Sequence, residues 1–452
     1  MMTYLLKDFF RSSSLVTGIV LLFFAGLLSL YIGGLFLEQQ ERTATLTTAA
    51  QADGIDRTLG FVADDDMGLF LYYVRFGLVN ETPRIAGLSI GHRDMHPVAQ
   101  NVNIRNLEEQ RHASVLKNPF YQLLGNLDFS FVLLYFFPLV IIAFCFSLFS
   151  EEEEGGTWRL ILSQLERPER VLYGKLFIRF AAVLLTLLLL LCIASVYLRI
   201  PADTHFAAFS VVSVLYVAFW FALSWLVIRF RGSSNQNALV LLLAWVLLTI
   251  VVPSALSAVT VRLYPVPEAY EAMLESRDGF HNKWDEPIAP TVEKFQAIYP
   301  QFAAYEHPEG EDFSWLWYYA MQQMGDEEGA AAAAAMRNKL ERRDAFSTLS
   351  GYLFPSVHTL LTLNTLAHSD LANYLAAQDH LAAYHEDLRL AFYPSIFNGD
   401  RVATVDWARY TAHSFADNRP VHWVATLLPL LFPTVLLLAA ARIWGRPYTG
   451  LS

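Results

Sequence analysis

The chain has 452 residues, of which 54% are hydrophobic and 17% charged, and its mean hydropathy is +0.34. This composition excludes a disordered chain and is rare among water-soluble proteins of this length. The formal net charge of −11 excludes a strongly basic nucleic-acid-binding protein, so we expect no nucleic-acid partner. The apolar residues are concentrated in runs of about 20, the length that crosses a hydrocarbon layer of about 30 Å as a helix. We therefore predict an all-α polytopic membrane protein in a lipid bilayer.

Six apolar runs are long enough to be membrane-spanning helices, and we number them as spans 1 to 6 in chain order. They are residues 14–37, 128–150, 177–198, 207–229, 238–261 and 421–442. Span 1 is too long for a removed signal peptide and lacks a small-residue cleavage site, so we interpret it as a retained anchor. Residues 1–37 are predicted to contain span 1 and, before it, a short helix along the membrane surface, because apolar and charged residues are mixed there; an ordinary flank of span 1 is the alternative.

Two long polar segments separate the spans. Residues 38–127 follow span 1 and residues 262–420 precede span 6, while spans 2 to 5 occupy 128–261 and span 6 with the tail occupies 421–452. The first segment mixes short apolar stretches with Gly and Pro, which favours a small α+β or irregular unit. The second is expected to be mainly helical, with a helical pair broken at Gly325-Asp326, because an alanine-rich run follows that point. We expect both segments to be extracytoplasmic insertions, the second forming a cap over the spans.

The distribution of charge predicts the orientation of the chain. The side with the termini, the loop between spans 2 and 3 and the loop between spans 4 and 5 has eleven basic and seven acidic residues, a formal charge of +4. Because the whole chain has a formal net charge of −11, the other side carries −15. Because basic residues next to span ends are retained in the cytoplasm, we expect both termini inside and both insertions outside a bacterial inner membrane. The interior of the spans holds no Asp or Glu, which argues against an ion channel or a proton-driven pump.

The loop between spans 2 and 3 has the clearest pattern in the sequence. Four acids, Glu151 to Glu154, precede Gly155-Gly156, and Thr157 is a suitable helix cap. Apolar residues follow at helical spacing and basic residues stand near the end; they are Trp158, Ile161, Leu162, Leu165, Arg167 and Arg170. The acids would complement the positive end of the helix dipole. We predict a short amphipathic helix at about 151–172, tied to two spans, by which a soluble partner could move the membrane part.

At these residues the sequence resembles the permease subunits of ABC-2 type transporters. Their loop typically reads Glu-Arg-Glu-x-Gly-Thr-Leu, followed by a run ending Leu-Leu-Ser and by a Gly-Lys pair that opens span 3. The matching residues here are Glu152, Glu154, Gly156, Thr157, Leu162, Ser163, Gly174 and Lys175. Glu153 stands where Arg is usual, and Trp158 stands where Leu is usual. A branch of the family with two large outer insertions is matched more loosely at residues 83–94, 366–371 and 383–389.

The resemblance implies that the loop is a coupling helix, which docks in a groove of a separate cytoplasmic ABC ATPase subunit. The residues expected to take part are Glu152, Glu154, Gly156, Thr157, Trp158, Leu162, Arg167, Gly174 and Lys175. It also implies a second permease, either another copy of this chain or a related permease. This chain is expected to bind no cofactor and to be no enzyme, because it lacks the phosphate-binding motif G-x-x-x-x-G-K-[ST]. ATP and Mg would then be bound by the partner ATPase.

Two functions fit these features. The first is the membrane half of an exporter, in which the resemblance suggests that spans 2 and 5 line the path. The candidate pathway residues are Ser130, Phe136, Phe137, Ser254 and Ser257. The alternative is an ATP-driven mechanical relay or sensor that acts on an extracytoplasmic partner without transport, as the large acidic insertions suggest. Lipids, peptides, metal chelates and antibiotics remain open as cargo, because the candidate path has no charged recognition group.

Twelve histidines raise a third possibility, a membrane-bound hydrolase or metal enzyme. His92, Met95 and His96 are close in sequence, but the neighbouring Gly91 and Pro97 disfavour a helix that would place them on one face. His380, His385 and Glu386 have a spacing that does not suit one helix face, and no H-E-x-x-H motif occurs. We therefore expect no metal site and no catalytic residue.

Overall fold

The structure is a computed structural model that describes residues 2–62, 64–111, 126–164 and 169–444. Six of the described helices are long and apolar enough to cross a membrane. They are span 1 (Ser13–Leu59), span 2 (Phe129–Glu154), span 3 (Glu169–Tyr197), span 4 (Thr204–Arg229), span 5 (Ser234–Leu263) and span 6 (Trp423–Trp444). The predicted fold class, an all-α protein with six spans and a mainly helical second insertion, is confirmed.

Span 4 lies at the centre of the bundle and span 5 lies at its edge. Buried residues make up 61% of the most apolar part of span 4 but only 11% of that of span 5. Tyr216 and Trp220 of span 4 are among the largest fully buried side chains, and span 4 as a whole packs against spans 2, 3 and 6. Span 5 consequently presents most of its apolar surface to whatever surrounds the bundle.

Spans 2 and 5 share an irregularity. Each contains one wide π-helical turn, Val132–Phe136 in span 2 and Leu247–Val251 in span 5. A proline follows each turn within two residues, Pro138 and Pro253 respectively. Proline has no N–H to donate to the carbonyl four residues earlier, and a wider turn is one way in which a helix accommodates it. The two spans that the resemblance assigns to the path therefore have the same local distortion.

The span ends define two faces of the bundle. The loop face holds the amino-terminal helix Met2–Arg11, the loop between spans 2 and 3, and the loop between spans 4 and 5. The domain face holds both polar segments. The helix of span 1 does not stop at the predicted end of the apolar run, residue 37, but continues to Leu59. About 30 Å of it therefore projects beyond that run, at about 1.5 Å per residue.

The two polar segments fold together into one polar domain. A three-stranded sheet, in the order β2-β1-β3, combines β1 (Phe76–Asn80) and β2 (Ala99–Val102) of the first segment with β3 (His413–Phe415) of the second. β1 pairs with β2 in antiparallel and with β3 in parallel orientation. The helices of the domain are Met67–Tyr73, Leu107–Arg111, Glu268–Asn282, Ile288–Ile298, Trp315–Gly351, Pro355–Leu366 and Leu371–Phe397. Short 3-10 turns are Arg84–Gly87, Gly91–Asp94, Pro300–Phe302, Val402–Thr404 and Trp407–Arg409.

A buried ion pair joins the two segments inside this domain. Arg389 Nη2 lies 2.9 Å from Asp326 Oδ2, and both side chains are almost completely enclosed. Arg389 Nε donates to the Ile104 carbonyl at 3.2 Å, and Asp326 Oδ1 accepts from the Leu107 N–H at 2.7 Å. Burial raises the pKa of Asp326, and Arg389 only partly offsets this. Because each charge also satisfies backbone groups of residues 104–107, the pair fixes the first segment onto the second.

Trp315–Gly351 is one continuous helix, so the predicted break at Gly325-Asp326 is wrong. Gly325 faces helix Glu268–Asn282 at a point where a side chain would come within 2.7 Å of the Ser276 carbonyl oxygen. Asp326 is occupied by its bonds to residues 107 and 389. The glycine therefore allows two helices to approach closely, and it does not end either of them.

The second segment also enters the bundle. After Gly351 the chain turns, and helix Pro355–Leu366 packs against spans 4, 5 and 6. The Tyr216 hydroxyl, twelve residues into span 4, lies 3.1 Å from Ser356 Oγ and donates to the Leu134 carbonyl of span 2. We call residues 344–366 the inserted hairpin. Its tip is apolar and open to the surroundings, with Leu349 67% and Leu353 77% exposed.

Candidate functional site

From the end of span 2 onward, the described residues 150–164 form two short helices instead of the one predicted. Ser150–Glu154 ends at Gly155, and Thr157–Gln164 follows. Gly156 between them has φ of +73°, in the left-handed region that favours glycine, and no atom lies within 4 Å of where its side chain would be. Arg167, which the resemblance assigns to coupling, lies outside the described residues. We call residues 150–157 the acidic turn and Thr157–Gln164 the loop helix.

Three consecutive acids fasten the acidic turn to three other parts of the loop face. Glu152 forms an ion pair with Lys175 of span 3 and also accepts from the Thr157 hydroxyl. Glu153 Oε1 lies 2.8 Å from Arg231 Nη2 in the loop between spans 4 and 5. Glu154 accepts from the backbone N–H of Ser234, at the start of span 5, at 2.9 Å. The structure thus brings Glu152, Glu154, Thr157 and Lys175 together.

The loop helix turns its apolar face inward. Trp158 is buried, with its ring 5.0 Å from that of Phe149 in an edge-on arrangement. Leu162 is partly buried and packs against the core of the bundle. The opposite face exposes Arg159, Leu160, Ser163 and Gln164. Leu160, with 61% of its surface exposed, is an apolar residue on the free side of this helix that sequence reasoning did not single out.

Gly174 lies where the amino-terminal helix meets span 3. A side chain at this position would come within 2.6 Å of Leu5 Cδ1, so the glycine allows the two helices to touch. Phe9 of the same amino-terminal helix is buried, with its ring 6.3 Å from that of Phe144 in span 2. The amino-terminal helix therefore packs against the bundle beside the acidic turn.

The candidate pathway residues divide into two groups. Ser130 is buried, and its hydroxyl donates to the Leu88 carbonyl at 3.1 Å, while Phe137 is buried completely. Phe136 is 36% exposed and belongs to the π-helical turn of span 2. Ser254 and Ser257 of span 5 are exposed. Phe136, Ser254 and Ser257 therefore lie on the outer surface of the bundle. The five candidate residues do not line one enclosed cavity of this chain.

We expect no catalytic residue, although Gly87-Leu88-Ser89-Ile90-Gly91 matches the pattern G-x-S-x-G of serine hydrolases. In such enzymes the serine lies on a turn from strand to helix, whereas Ser89 lies between two 3-10 turns. Ser89 is fully buried, and its hydroxyl donates to Asn364 Oδ1 at 2.7 Å. Its carbonyl accepts from the Ser369 hydroxyl at 2.7 Å. Ser89 therefore joins the first polar segment to the end of the inserted hairpin.

The histidines named in the sequence lie apart from any cluster of ligands. The rings of His92 and His96 stack with centroids 6.5 Å apart, and that of His96 also stacks on Tyr374. His385 is buried, and its Nε2 lies 2.6 Å from the Arg105 carbonyl. Within the described ranges, no three His, Cys, Asp or Glu side chains form a group that could hold a metal ion.

Two family models match parts of the chain. The family model described as ABC-2 family transporter protein matches residues 6–299, and a domain of unknown function (DUF3526) matches residues 268–416. No curated protein and no solved structure matches the chain. Because the first model covers well over half of the sequence, the chain belongs to the ABC-2 family of transporter proteins and is a membrane-embedded permease component that works with a separate ATP-binding subunit.

Proposed function

We propose that this permease is the membrane half of an exporter and that the loop helix receives the movement of the ATP-binding subunit. This proposal depends on the contacts of the acidic turn. Its acids form ion pairs with span 3 and with the loop between spans 4 and 5, and a hydrogen bond with the start of span 5. A force on the exposed side of the loop helix would therefore act on several spans together. Leu160 on that side is suited to an apolar contact with the partner.

The proposal places the loop face in the cytoplasm of a bacterial cell, with both termini inside and the polar domain outside. The excess of basic residues beside the span ends of this face supports that orientation. ATP and Mg would then be bound by the partner on the same side of the membrane.

A second permease, identical or related, would pack against spans 2 and 5. Span 5 is covered over little of its surface by this chain, and it exposes Ser254 and Ser257 beside the apolar residues. Small and hydroxyl side chains allow close packing and hydrogen bonding between helices in a membrane. A path between the two permeases would then be lined by Phe136, Ser254 and Ser257, while Ser130 and Phe137 support it from behind.

The coupling part of the proposal is tested by Leu160→Asp with Leu46→Asp as the matched control. Both leucines are exposed on helices, 61% and 58% respectively, but they lie on opposite faces of the bundle. We expect Leu160→Asp to lose the copurifying ATP-binding subunit in mild detergent and Leu46→Asp to keep it. Equal recovery of that subunit with both variants would contradict coupling through the loop helix.

A relay function is the second candidate, because span 1 is one rigid helix from the loop face into the polar domain. At its far end, the Gln51 side chain accepts from the Gly77 N–H at 2.7 Å and donates to the Tyr410 carbonyl at 2.5 Å. Tilting span 1 would therefore move the sheet of the polar domain. Reconstituted vesicles with the ATP-binding subunit distinguish the functions: ATP-dependent movement of a cargo supports export, whereas hydrolysis stimulated by an external partner without movement of cargo supports the relay.

A further inference from the structure

A polar cavity of about 260 Å³ lies on the domain face, where the inserted hairpin meets the first turn of span 6. The hairpin contributes Asp344, Thr362 and His358 to its wall. His205 from the start of span 4 and Arg419 and His422 from the approach to span 6 also line it, as does Asp370. Charged and hydroxyl groups thus converge at the level where the spans leave the membrane.

This cavity opens into an apolar groove of about 950 Å³ along span 6. The two share Tyr352, Val421, His422 and Ala425, so they form one crevice, which we call the interface crevice. The floor of the groove is exposed and apolar, with Val424 75%, Leu428 53% and Phe432 60% exposed. From Trp423 to Phe432 the groove follows about 14 Å of helix, close to the hydrocarbon thickness of one leaflet, about 15 Å.

The shape of the interface crevice matches a molecule of the bilayer. Its polar end lies at headgroup level, beside Trp423, an aromatic residue at the start of span 6 of the kind that favours the lipid–water boundary. Its apolar end descends along the outside of a membrane span, where acyl chains are the solvent. A soluble ligand would leave this groove unused, whereas a lipid fills both parts.

The charges of the cavity favour a cationic headgroup. Arg419 is already paired, with its Nη2 2.7 Å from both Asp370 Oδ1 and Asp417 Oδ2. Asp344 is half-buried and, within the described part of the chain, makes no hydrogen bond or ion pair. Burial raises the pKa of Asp344 and the nearby Asp370 adds to the effect, while His92 and Arg419 offset it only in part. A positive group bound beside Asp344 would stabilise its ionised carboxylate against both burial and the repulsion from Asp370.

Uncharged acceptors line the same cavity as this carboxylate. Pro429 has no N–H to donate to the carbonyl of Ala425, which lines both parts of the interface crevice. Thr348 and Thr362 add hydroxyls to the wall of the cavity. An ammonium group has three N–H donors and no acceptor, so a cavity that offers a carboxylate together with uncharged acceptors suits it.

We propose that the interface crevice binds a bilayer lipid whose headgroup carries a primary amine, with the ammonium at Asp344 and one acyl chain along span 6. The inference depends only on the domain face and holds whichever way the permease transports its cargo.

The test uses the full chain, purified in mild detergent, and measures lipid binding by native mass spectrometry. The probes are phosphatidylethanolamine, phosphatidylcholine and phosphatidylglycerol of the same acyl chains. We expect phosphatidylethanolamine to bind at least about tenfold more tightly than the other two, the effect of one charge-assisted hydrogen bond. Equal binding of all three by the unaltered chain would overturn the proposal without any need for a variant.

Variants place the site on the protein. Asp344→Asn is expected to remove the preference for phosphatidylethanolamine, while Asp278→Asn, an exposed acid outside the crevice, keeps it. An unchanged preference in Asp344→Asn would overturn the assignment to this carboxylate. Glycerophosphoethanolamine, which has the headgroup but no acyl chains, serves as a competitor. If it competed as well as the intact lipid, the groove would have no role and the bilayer would not be the source of the ligand.

Discussion

Glu153 of the acidic turn and Arg231 of the loop between spans 4 and 5 form an ion pair with 2.8 Å between Oε1 and Nη2. Arg231 also lies over the ring of Phe149, 5.1 Å from its centroid, and only 10% of its side chain is exposed. In the ABC-2 permeases that the sequence resembles, Arg is usual at the position of Glu153. An arginine there would face Arg231, so the acid is matched to the charge of the neighbouring loop.

Reversing the charge of one partner should therefore lower both ATP hydrolysis and stability. Reversing the charges of both partners should restore them in part. We expect Glu153→Arg to lower the ATP hydrolysis of the assembled transporter and to destabilise the permease by about 1 kcal/mol, because two like charges replace a partly exposed pair. Glu153→Arg combined with Arg231→Glu should recover part of both. The measurements are thermal unfolding and ATPase rate in detergent.

The pair of Glu41 and Arg84 on the domain face, 3.1 Å apart, provides the control. Glu41→Arg should leave ATP hydrolysis unchanged. If both reversals lowered hydrolysis equally, the effect would be general instability and would not come from the acidic turn.

Gly156 offers a test of backbone geometry in the acidic turn. A side chain in the left-handed region costs about 1 to 2 kcal/mol for most residues and less for Asn. We expect Gly156→Ala to lower the melting temperature and the ATPase rate of the complex, and Gly156→Asn to retain most of both. Gly399→Ala is the matched control, since Gly399 has φ of +67° and equally open space but lies in the polar domain. It should lower the melting temperature alone; an equal loss of ATPase rate would contradict a special role for Gly156.

The number of spans could be predicted from sequence because each is a run of apolar residues of the required length. The full length of span 1 could not, since residues 38–59 are polar and hydropathy does not report a helix that leaves the membrane. Only the absence of proline from this stretch indicated it, and Gly54 is accommodated within the helix. The inserted hairpin was missed for the opposite reason: Pro355–Leu366 is apolar enough to enter the bundle but too short to cross it.

At the loop face, the sequence predicted an amphipathic helix but not the direction of its faces. The apolar period around Trp158 and Leu162 fits either a partner or the bundle, and the structure directs both residues inward. The partners of the acidic turn could not be predicted, because Lys175, Arg231 and Ser234 are brought to it by packing of separate spans. Pairing across such distances in sequence leaves no periodic pattern.

The stability of the polar domain should depend on pH through His385. Burial lowers the pKa of His385 well below its usual value, and the neighbouring Arg389 acts in the same direction. The folded state therefore keeps His385 neutral, while the unfolded chain takes up a proton as the pH falls below about 6.5. Stability is thus retained above that pH and lost below it, by up to about 1.4 kcal/mol per pH unit.

We expect the melting temperature to fall between pH 7.5 and 5.5, and to fall less in His385→Gln, whose amide can still donate to the Arg105 carbonyl. Identical slopes for the variant and the unaltered chain would show that His385 is protonated without cost.

The tip of the inserted hairpin is expected to lie in lipid, although hydropathy assigns these residues to a polar segment outside the membrane. Leu353 at its tip is 77% exposed, and Ser356 nearby reaches a hydroxyl twelve residues into span 4. A spin label at Leu353→Cys, with Cys192→Ser to remove the exposed native thiol, should collide more often with oxygen than with a water-soluble nickel complex, because oxygen concentrates in hydrocarbon. A label at Leu59→Cys, at the far end of the span 1 helix, should show the reverse. Preference for the nickel complex at residue 353 would mean that the hairpin tip lies in water, and that the polar domain rests on the bundle without entering it.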